Sequence, residues 1–271
     1  MQDFTLVPPA QDLDLPVVIL CGGGGTRLRE ETEFIPKPMV TVGGKPILWH
    51  LMQYYSSYGF LRFVLCLGYK AEVIKNYFLN FHYSANSFSI RLGEGTFVEL
   101  EGEQRTPPWT ISCVDTGERA MTGARVKRIE RHLGDSTFLL TYGDGLADID
   151  LNDLVAFHRS HGKLVTVTAV HPPARFGLLV LDGTKVECFS EKAHGIRDYI
   201  NGGFMVCEPG VFDYLDDDDS CTLEHHPLAR IAADGQMEAY LHESYWQCMD
   251  TLRDRELLEE TWAKGAPWRR W

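Results

Sequence analysis

Apolar positions along the chain form short continuous runs that alternate with segments of helical periodicity. A continuous apolar run is typical of a strand buried on both faces of a parallel sheet. Such runs occur at Val17–Cys21, Phe63–Leu67, Thr137–Thr141 and Leu164–Val170. Apolar residues at helical spacing predict helices over Pro46–Tyr58, Lys70–Phe81, Leu151–His161 and Glu256–Lys264.

This alternation predicts an α/β fold, with a Rossmann-like, mostly parallel sheet flanked by helices and joined by right-handed crossovers. The region from about 84 to 120 alternates apolar and polar residues and predicts a strand-rich insertion. Short strands around Gly177–Phe189 and Gly203–Cys207 predict a C-terminal elaboration. Residues 1–15 form a polar, proline-containing N-terminal extension. No repeat or clear linker follows, so residues 16–271 are predicted to form a single domain.

Composition and charge narrow the possible partners. The 271 residues carry a formal net charge of −12, which argues against a nucleic-acid binder. A phosphorylated small molecule stays possible, because its site needs only a few cations in one cleft. The extension lacks the pattern of a secretory signal, and no apolar run approaches the ~20 residues that span a bilayer. Seven cysteines without a C-x-x-C pair argue against a disulfide framework. We therefore expect a cytoplasmic protein without membrane contact.

The first apolar run leads into four consecutive glycines, Gly22–Gly25, followed by Thr26 and Arg27. A glycine-rich turn after a parallel strand exposes amide groups that can bind phosphate. The Rossmann fingerprint fails because its third glycine would fall on Arg27. The P-loop pattern fails because no Lys-Ser or Lys-Thr pair follows. A tight turn without ligand and a site for a nucleoside triphosphate remain as alternatives.

The glycines with Thr26 and Arg27, followed by Pro36-Lys37-Pro38-Met39, resemble the signature of the sugar-1-phosphate nucleotidyltransferases. The likeness extends from about residue 17 to Trp271. Stretches such as 141–150 (TYGDGLADID), 249–254 (MDTLRD) and 266–271 (APWRRW) are most similar to the cytidylyltransferase branch of this family. The resemblance implies the nucleotidyltransferase fold. It implies cytidylyl transfer from CTP to a sugar 1-phosphate, with α-D-glucose 1-phosphate as the expected acceptor. CDP-glucose and pyrophosphate would form by Mg²⁺-assisted in-line attack at the α-phosphorus.

The resemblance also implies roles for individual residues. Its catalytic residues would be Arg27, Lys37, Asp144 and Asp250. Asp144 and Asp250 would be the magnesium ligands; for Asp144 taken alone, a turn-stabilising side chain is the alternative, and the pair favours metal binding. The nucleotide would contact Leu20, Gly22, Gly23, Gly25, Thr26, Arg27, Lys37, Met121, Thr122, Gly123, Arg125 and Asp144. The acceptor would contact Tyr142, Gly143, Gly177, Glu191, Lys192, Asn201 and Gly202.

Some features stay open or depart from the family pattern. Ala124 and Ala193 stand where the family usually has glycine and proline, and segment 93–108 matches it poorly. The two prolines around Lys37 predict a stiff, extended segment. The acidic run Asp216–Asp219 predicts a solvated turn or helix end rather than a metal site. The family relation predicts a homo-oligomer. Alternatives to the proposed reaction are another phosphorylated acceptor and a non-catalytic nucleotide or sugar-phosphate sensor.

Overall fold

A computed structural model of the chain describes residues 14–25, 28–92, 97–101, 106–172, 178–182, 185–190 and 199–271. Its strands are Val17–Leu20 (β1), Thr41–Val42 (β2), Lys45–Pro46 (β3), Arg62–Leu67 (β4), Phe88–Arg91 (β5), Phe97–Leu100 (β6), Thr110–Asp115 (β7), Phe138–Tyr142 (β8), Gly145–Ala147 (β9), Val165–Val170 (β10), Leu178–Asp182 (β11), Lys185–Ser190 (β12), Ile200–Cys207 (β13), Met237–His242 (β14) and Trp246–Cys248 (β15). Its helices are Arg29–Thr32 (α1), Ile47–Ser56 (α2), Ala71–Leu79 (α3), Phe81–Ala85 (α4), Thr122–Arg128 (α5), Glu130–Leu133 (α6), Leu151–His161 (α7), His226–Ala233 (α8) and Leu252–Ala263 (α9).

The described strands build a central sheet of seven in the order β14-β10-β13-β8-β1-β4-β7. Strand β1 pairs in parallel with β4 on one side and with β8 on the other. Strand β13 is antiparallel to both of its neighbours, β8 and β10. The prediction of a mostly parallel sheet flanked by helices is confirmed, with β13 as its antiparallel member.

Both faces of this sheet are covered by apolar packing. Val17 and Ile19 of β1 face a core that includes residues of α2, α7 and α9. Val18 and Leu20 face a second core that includes residues of α5, α6 and α8. Each residue of β1 is at most 8% exposed. Burial of one such side chain contributes about 1.5–3 kcal/mol, so β1 is a rigid base for the loop that follows it.

The predicted helices are present with modest shifts of their ends. Helix α7 has the predicted bounds, since the Asp150 carboxylate accepts hydrogen bonds at its start and Gly162 adopts φ 64° at its end. Helix α9 begins at Leu252, four residues before the predicted start at Glu256, because Thr251 and Asp254 form a capping box.

Two expectations need correction. Strand β7, which was assigned to the insertion, pairs in parallel with β4 and forms an edge of the central sheet. Among the described residues of that region, the β5–β6 hairpin forms a separate sheet. The segment around Lys37 is not extended throughout: Lys37–Met39 forms a 3₁₀ turn, closed by a hydrogen bond of 2.8 Å from Met39 N to Pro36 O. Proline fits early in such a turn because its missing N–H has no partner to lose.

In the part of the chain that the structure describes, no helix is long and apolar enough to cross a membrane. The thiols of six cysteines are free, and each of these residues is at least partly buried: Cys21, Cys66, Cys113, Cys207, Cys221 and Cys248. The first thirteen residues lie outside the described part, and the division into an extension and one domain stays a prediction.

Candidate functional site

The glycine loop lies at the carboxyl end of β1 and is fixed from both sides. The Gly22 carbonyl accepts hydrogen bonds from Tyr69 N at 3.1 Å and from Arg125 Nη2 at 2.9 Å. A Cβ at position 22 would lie 2.1 Å from Arg125 Nη1, whereas one at position 23 would meet nothing within 4 Å. Gly22 is therefore required by packing, and Gly23 leaves the open side of the loop bare.

Arg125 supports this loop from within. Its Nη1 donates to Leu67 O at 3.1 Å, to Thr116 Oγ1 at 2.9 Å and to Gly117 O at 2.8 Å. The residue is 3% exposed, and burial lowers the pKa of its guanidinium from its ordinary value. By the family resemblance, Arg125 would contact the triphosphate. Because the guanidinium is bonded to main-chain and hydroxyl oxygens, the geometry favours a role in holding the loop.

Lys37 joins the two aspartates that the resemblance paired. Its Nζ lies 2.6 Å from Asp144 Oδ2 and 2.6 Å from Asp250 Oδ1. The three side chains are 14%, 26% and 22% exposed, so water screens their charges only in part. Burial works against the charged ammonium, but the two carboxylates outweigh it and raise the pKa of Lys37. Lys37 is therefore a cation, and Asp144 and Asp250 converge on one point.

Short-range main-chain contacts bring the two aspartates together. Asp144 follows β8 after Gly143. A Cβ added at position 143 would lie 2.9 Å from Leu20 O, so this turn packs closely against the end of β1. Asp250 follows β15, which pairs with β9, and Met249 N donates to Asp144 O at 2.8 Å. The Asp254 carboxylate accepts from Asp250 N at 3.1 Å, which fixes the direction of that main chain. Both aspartates thus project from turns whose main chain is fixed by hydrogen bonds.

The loop and the aspartates border a cleft with two lobes. The first lobe has a volume of about 330 Å³ and runs along the glycine loop to the start of α5. The second has a volume of about 440 Å³ and runs from β8 to β13 and β15. Tyr142, Asp144 and Asp250 border both lobes. We call them the loop lobe and the strand lobe.

The predicted nucleotide contacts fall mainly in the loop lobe. Those that line it are Leu20, Gly22, Gly23, Gly25, Lys37, Met121, Thr122, Arg125 and Asp144. Gly123 does not: a Cβ there would lie 2.6 Å from Cys221 Sγ, so this glycine backs against a neighbouring segment. Thr26 and Arg27 lie outside the described residues. Their predicted roles stay predictions.

The predicted acceptor contacts divide in a different way. Tyr142, Asn201 and Gly202 line the strand lobe. Gly143 lines the loop lobe instead, because it packs between the end of β1 and Pro38. Gly177, Glu191 and Lys192 lie outside the described residues.

Several lining residues were missed by the sequence reasoning. In the loop lobe they are Cys21, Pro38 and Ala120. In the strand lobe they are Thr141, Gly145, Glu224, Trp246 and Cys248. Trp246 donates from Nε1 to Gly202 O at 2.7 Å. Burial, with Asp250 and Asp144 nearby, raises the pKa of the Cys248 thiol to about 12, so it stays protonated. Some of these positions had a signal in the sequence: Pro38 belongs to the Pro-Lys-Pro segment, Cys21 precedes the glycines and Cys248 lies two residues before Asp250.

A bare main-chain loop at a sheet edge, beside a lysine and two convergent carboxylates, is an arrangement typical of phosphate-binding α/β proteins. The family model described as Nucleotidyl transferase matches residues 16–252. The chain belongs to the nucleotidyl transferase family. The resemblance of the glycine loop and the Pro-Lys-Pro segment to that family is thereby confirmed.

Two relatives and one solved structure refine this placement. The glucose-1-phosphate cytidylyltransferase of Salmonella typhi is 47% identical over 259 residues, which cover 95% of this chain and 100% of the relative. The probable glucose-1-phosphate cytidylyltransferase of Bacillus subtilis (strain 168) is 42% identical, with 95% and 100% covered. The crystal structure of HddC from Yersinia pseudotuberculosis superposes with a TM-score of 0.67 at 25% identity, covering 92% of this chain and 99% of that chain.

Proposed function

We propose that this chain transfers a cytidylyl group from CTP to glucose 1-phosphate, releasing pyrophosphate and forming CDP-glucose. The observation that carries the proposal is the 47% identity to a glucose-1-phosphate cytidylyltransferase over 95% of the chain. The convergence of Asp144 and Asp250 supports it, because two carboxylates that meet at one point can hold a divalent cation, which together with Lys37 would offset the charge of a polyphosphate. A non-catalytic sensor would not need this arrangement.

The loop lobe fits the triphosphate, and the strand lobe fits the sugar 1-phosphate. The open main chain at Gly23 permits close approach of phosphate oxygens. Lys37 lies at the boundary, where the acceptor phosphate oxygen would attack the α-phosphorus in line with the leaving pyrophosphate. The nucleophile is already an anion, so this chain need not remove a proton. Its residues act by orienting the two substrates and offsetting their charge.

The donor set at the boundary fits a magnesium ion. Oxygen atoms of Asp144 and Asp250 each lie 2.6 Å from the same Nζ, so both can approach one cation. Magnesium prefers oxygen ligands and often uses one or two carboxylates together with phosphates and water. Bound there, it would supply charge neutralisation to the triphosphate. Lys37 would then be free to contact a phosphate oxygen.

The strand lobe has the groups that a hexose needs. Asn201 offers hydrogen-bonding atoms, and Tyr142 and Trp246 offer aromatic surface. In our proposal Glu191 and Lys192 contact the acceptor, with Lys192 at its phosphate. Arg27 contacts the phosphates that leave.

The test is a substrate matrix with pyrophosphate release as the readout. Purified protein with Mg²⁺ is mixed with CTP, UTP, dTTP, GTP or ATP and with glucose, mannose or galactose 1-phosphate. We expect release with CTP and glucose 1-phosphate, CDP-glucose by mass spectrometry, and loss of activity with EDTA. Activity with UTP or dTTP alone would refute the base assignment. Activity with CTP and another sugar phosphate alone would refute the acceptor.

Two further parts of the proposal concern the setting of the enzyme. We place the reaction in the cytoplasm, which supplies nucleoside triphosphates and sugar phosphates. We also propose a homo-oligomer, as the family relation predicts. The β5–β6 hairpin offers a surface for it, since Ile90 is 51% and neighbouring Leu92 77% exposed. Ile90→Lys is expected to lower the mass measured by light scattering; an unchanged mass would exclude this surface.

A further inference from the structure

Glu224 lies where the two lobes of the cleft meet. Its Oε2 accepts a hydrogen bond from Thr122 Oγ1 at 2.6 Å, and its Oε1 accepts one from Tyr142 Oη. Thr122 lines the loop lobe, and Tyr142 borders both lobes. One carboxylate therefore accepts a hydrogen bond from a hydroxyl group on each wall of the cleft.

The Thr122 side of this link leads to the glycine loop. Thr122 is the first residue of α5, and its Oγ1 accepts a hydrogen bond from Leu223 N at 3.0 Å. Arg125 on the same helix holds the Gly22 carbonyl. A shift of the start of α5 would therefore be passed to the loop that faces the nucleotide.

The Tyr142 side leads to the aspartates and to the acceptor. Tyr142 ends β8, two residues before Asp144. Gly203, at φ 85°, lets the ring lie against the main chain, because a Cβ there would be 2.4 Å from ring atom Cδ2. Asn201 Nδ2 lies 3.5 Å from the Tyr142 hydroxyl.

The segment that carries Glu224 is itself bound to α5. Asp217 and Asp219 of the acidic run pair with Arg128 at 2.5 and 2.9 Å. Met121 N donates to Asp219 O at 2.8 Å, and Ala124 N donates to Cys221 O at 3.1 Å. The acidic run is thus more than a solvated turn: it attaches the Glu224 segment to one wall of the cleft. Glu224 then reaches across to the other wall.

We propose that Glu224 is a positioning residue that couples the loop lobe to the strand lobe, so that CTP and the sugar phosphate are aligned for in-line attack. Glu224 acts through Thr122 and Tyr142. This inference rests on the proposed function. It predicts that removal of the carboxylate largely removes the dependence of each KM on the other substrate. The effect on the stability of the fold should be smaller.

The experiment is a two-substrate kinetic matrix on wild type, Glu224→Ala and Glu224→Gln. Hydrogen bonds to a charged group contribute enough that we expect E224A to raise KM for glucose 1-phosphate at saturating CTP about tenfold, with a smaller fall in kcat. The dependence of each KM on the other substrate should largely disappear. Glu224→Gln should recover part of the loss, because the amide oxygen still accepts a hydrogen bond from one of the two hydroxyl groups. Asp216→Ala, an exposed carboxylate on the same segment that lines neither lobe, should match wild type.

A double-mutant cycle tests whether Glu224 acts through Tyr142. Tyr142→Phe should raise KM in wild type but change little in the E224A background. Additive effects, or E224A kinetics equal to those of D216A, would overturn the proposal. So would a lower melting temperature with unchanged KM values. If E224A does not fold, E224Q, Thr122→Val and Tyr142→Phe give the same comparison. Wild type inactive with every substrate pair would instead refute the proposed function.

Discussion

The loop lobe and the strand lobe differ in the groups that line them, main chain in the first and side chains in the second. Main chain at Gly22, Gly23 and Gly143 forms much of the loop lobe, and Arg125 supports it from behind. The strand lobe presents side chains from separate elements, among them Tyr142, Asn201, Glu224 and Trp246. The loop lobe therefore suits a ligand part that is recognised by charge and shape, such as a polyphosphate. The strand lobe suits a part with many hydroxyl groups. The two meet at Lys37 and the aspartates.

The largest expected effect lies at this meeting point. Asp144→Asn and Asp250→Asn each remove one of the two carboxylates that converge on Lys37 and that hold the metal in the proposed function. Metal and charge stabilisation contribute several kcal/mol to such transition states, so we expect kcat/KM to fall about 10³-fold. Pyrophosphate release measures the loss. Asp216→Asn is the matched control, and a loss smaller than tenfold in both site variants would contradict the assignment.

The second effect separates Lys37 from the metal. Its ammonium lies between the oxygen atoms that a divalent cation would need. Lys37→Met should therefore bind Mn²⁺ about tenfold more tightly without nucleotide, since a competing cation is gone. Electron paramagnetic resonance of free Mn²⁺ gives the affinity. Lys37→Arg, which keeps the charge, should not gain affinity. Equal Mn²⁺ affinity in wild type and Lys37→Met would show that the ammonium does not compete.

A third prediction tests the packing of the loop lobe. Gly22→Ala would place its Cβ 2.1 Å from Arg125 Nη1, and Arg125 cannot move without losing several hydrogen bonds. We expect the free energy of unfolding to fall by about 1–3 kcal/mol. Gly23→Ala, with nothing within 4 Å, should change it by less than about 0.5 kcal/mol. Denaturant titration of both variants decides the matter. Equal losses would show that the contact with Arg125 does not determine the cost of a side chain at position 22.

The same contrast explains what the sequence could predict. The loop lobe follows from contiguous patterns, since the apolar run, the glycines and Lys37 are close along the chain. Asp250 was placed beside Asp144 only through the family resemblance, because strand pairing between β9 and β15 joins them. Glu224 and Trp246 carried no local signal, and their positions depend on packing between distant elements. The inward role of Arg125 was hidden for the same reason.

Strand β7 shows where local pattern reasoning loses information. Its residues alternate apolar and polar and are half-buried or exposed, as expected of a strand at an edge. Alternation alone does not tell a sheet edge from an inserted hairpin. Pairing with β4 makes β7 an edge strand of the central sheet, and the residue pattern of one strand does not reveal its pairing partner.

A buried network that includes β10, in the half of the sheet behind the strand lobe, gives the smallest expected effect. His158 is 1% exposed, and its ring lies 2.8 Å from Thr166 Oγ1 and 3.1 Å from Glu208 Oε1. Burial lowers the pKa of His158 below its ordinary value of 6.5, although Glu208 works in the opposite direction. His161, which also contacts Thr166 Oγ1 at 2.7 Å, has a lowered pKa chiefly because of burial.

The sign of the pH effect follows from these lowered pKa values. Below pH 6.5 the unfolded chain takes up protons that the folded chain resists, so acid favours unfolding. The stability due to neutral His158 is present above pH 6.5 and is lost as pH falls through the folded-state pKa. We expect the wild-type free energy of unfolding to fall more steeply between pH 7.5 and 5.5 than that of His158→Gln, because the variant has no imidazole at position 158 to protonate. Parallel slopes in urea titrations would contradict this. A steeper wild-type slope would assign part of the acid sensitivity to the half of the sheet behind the strand lobe.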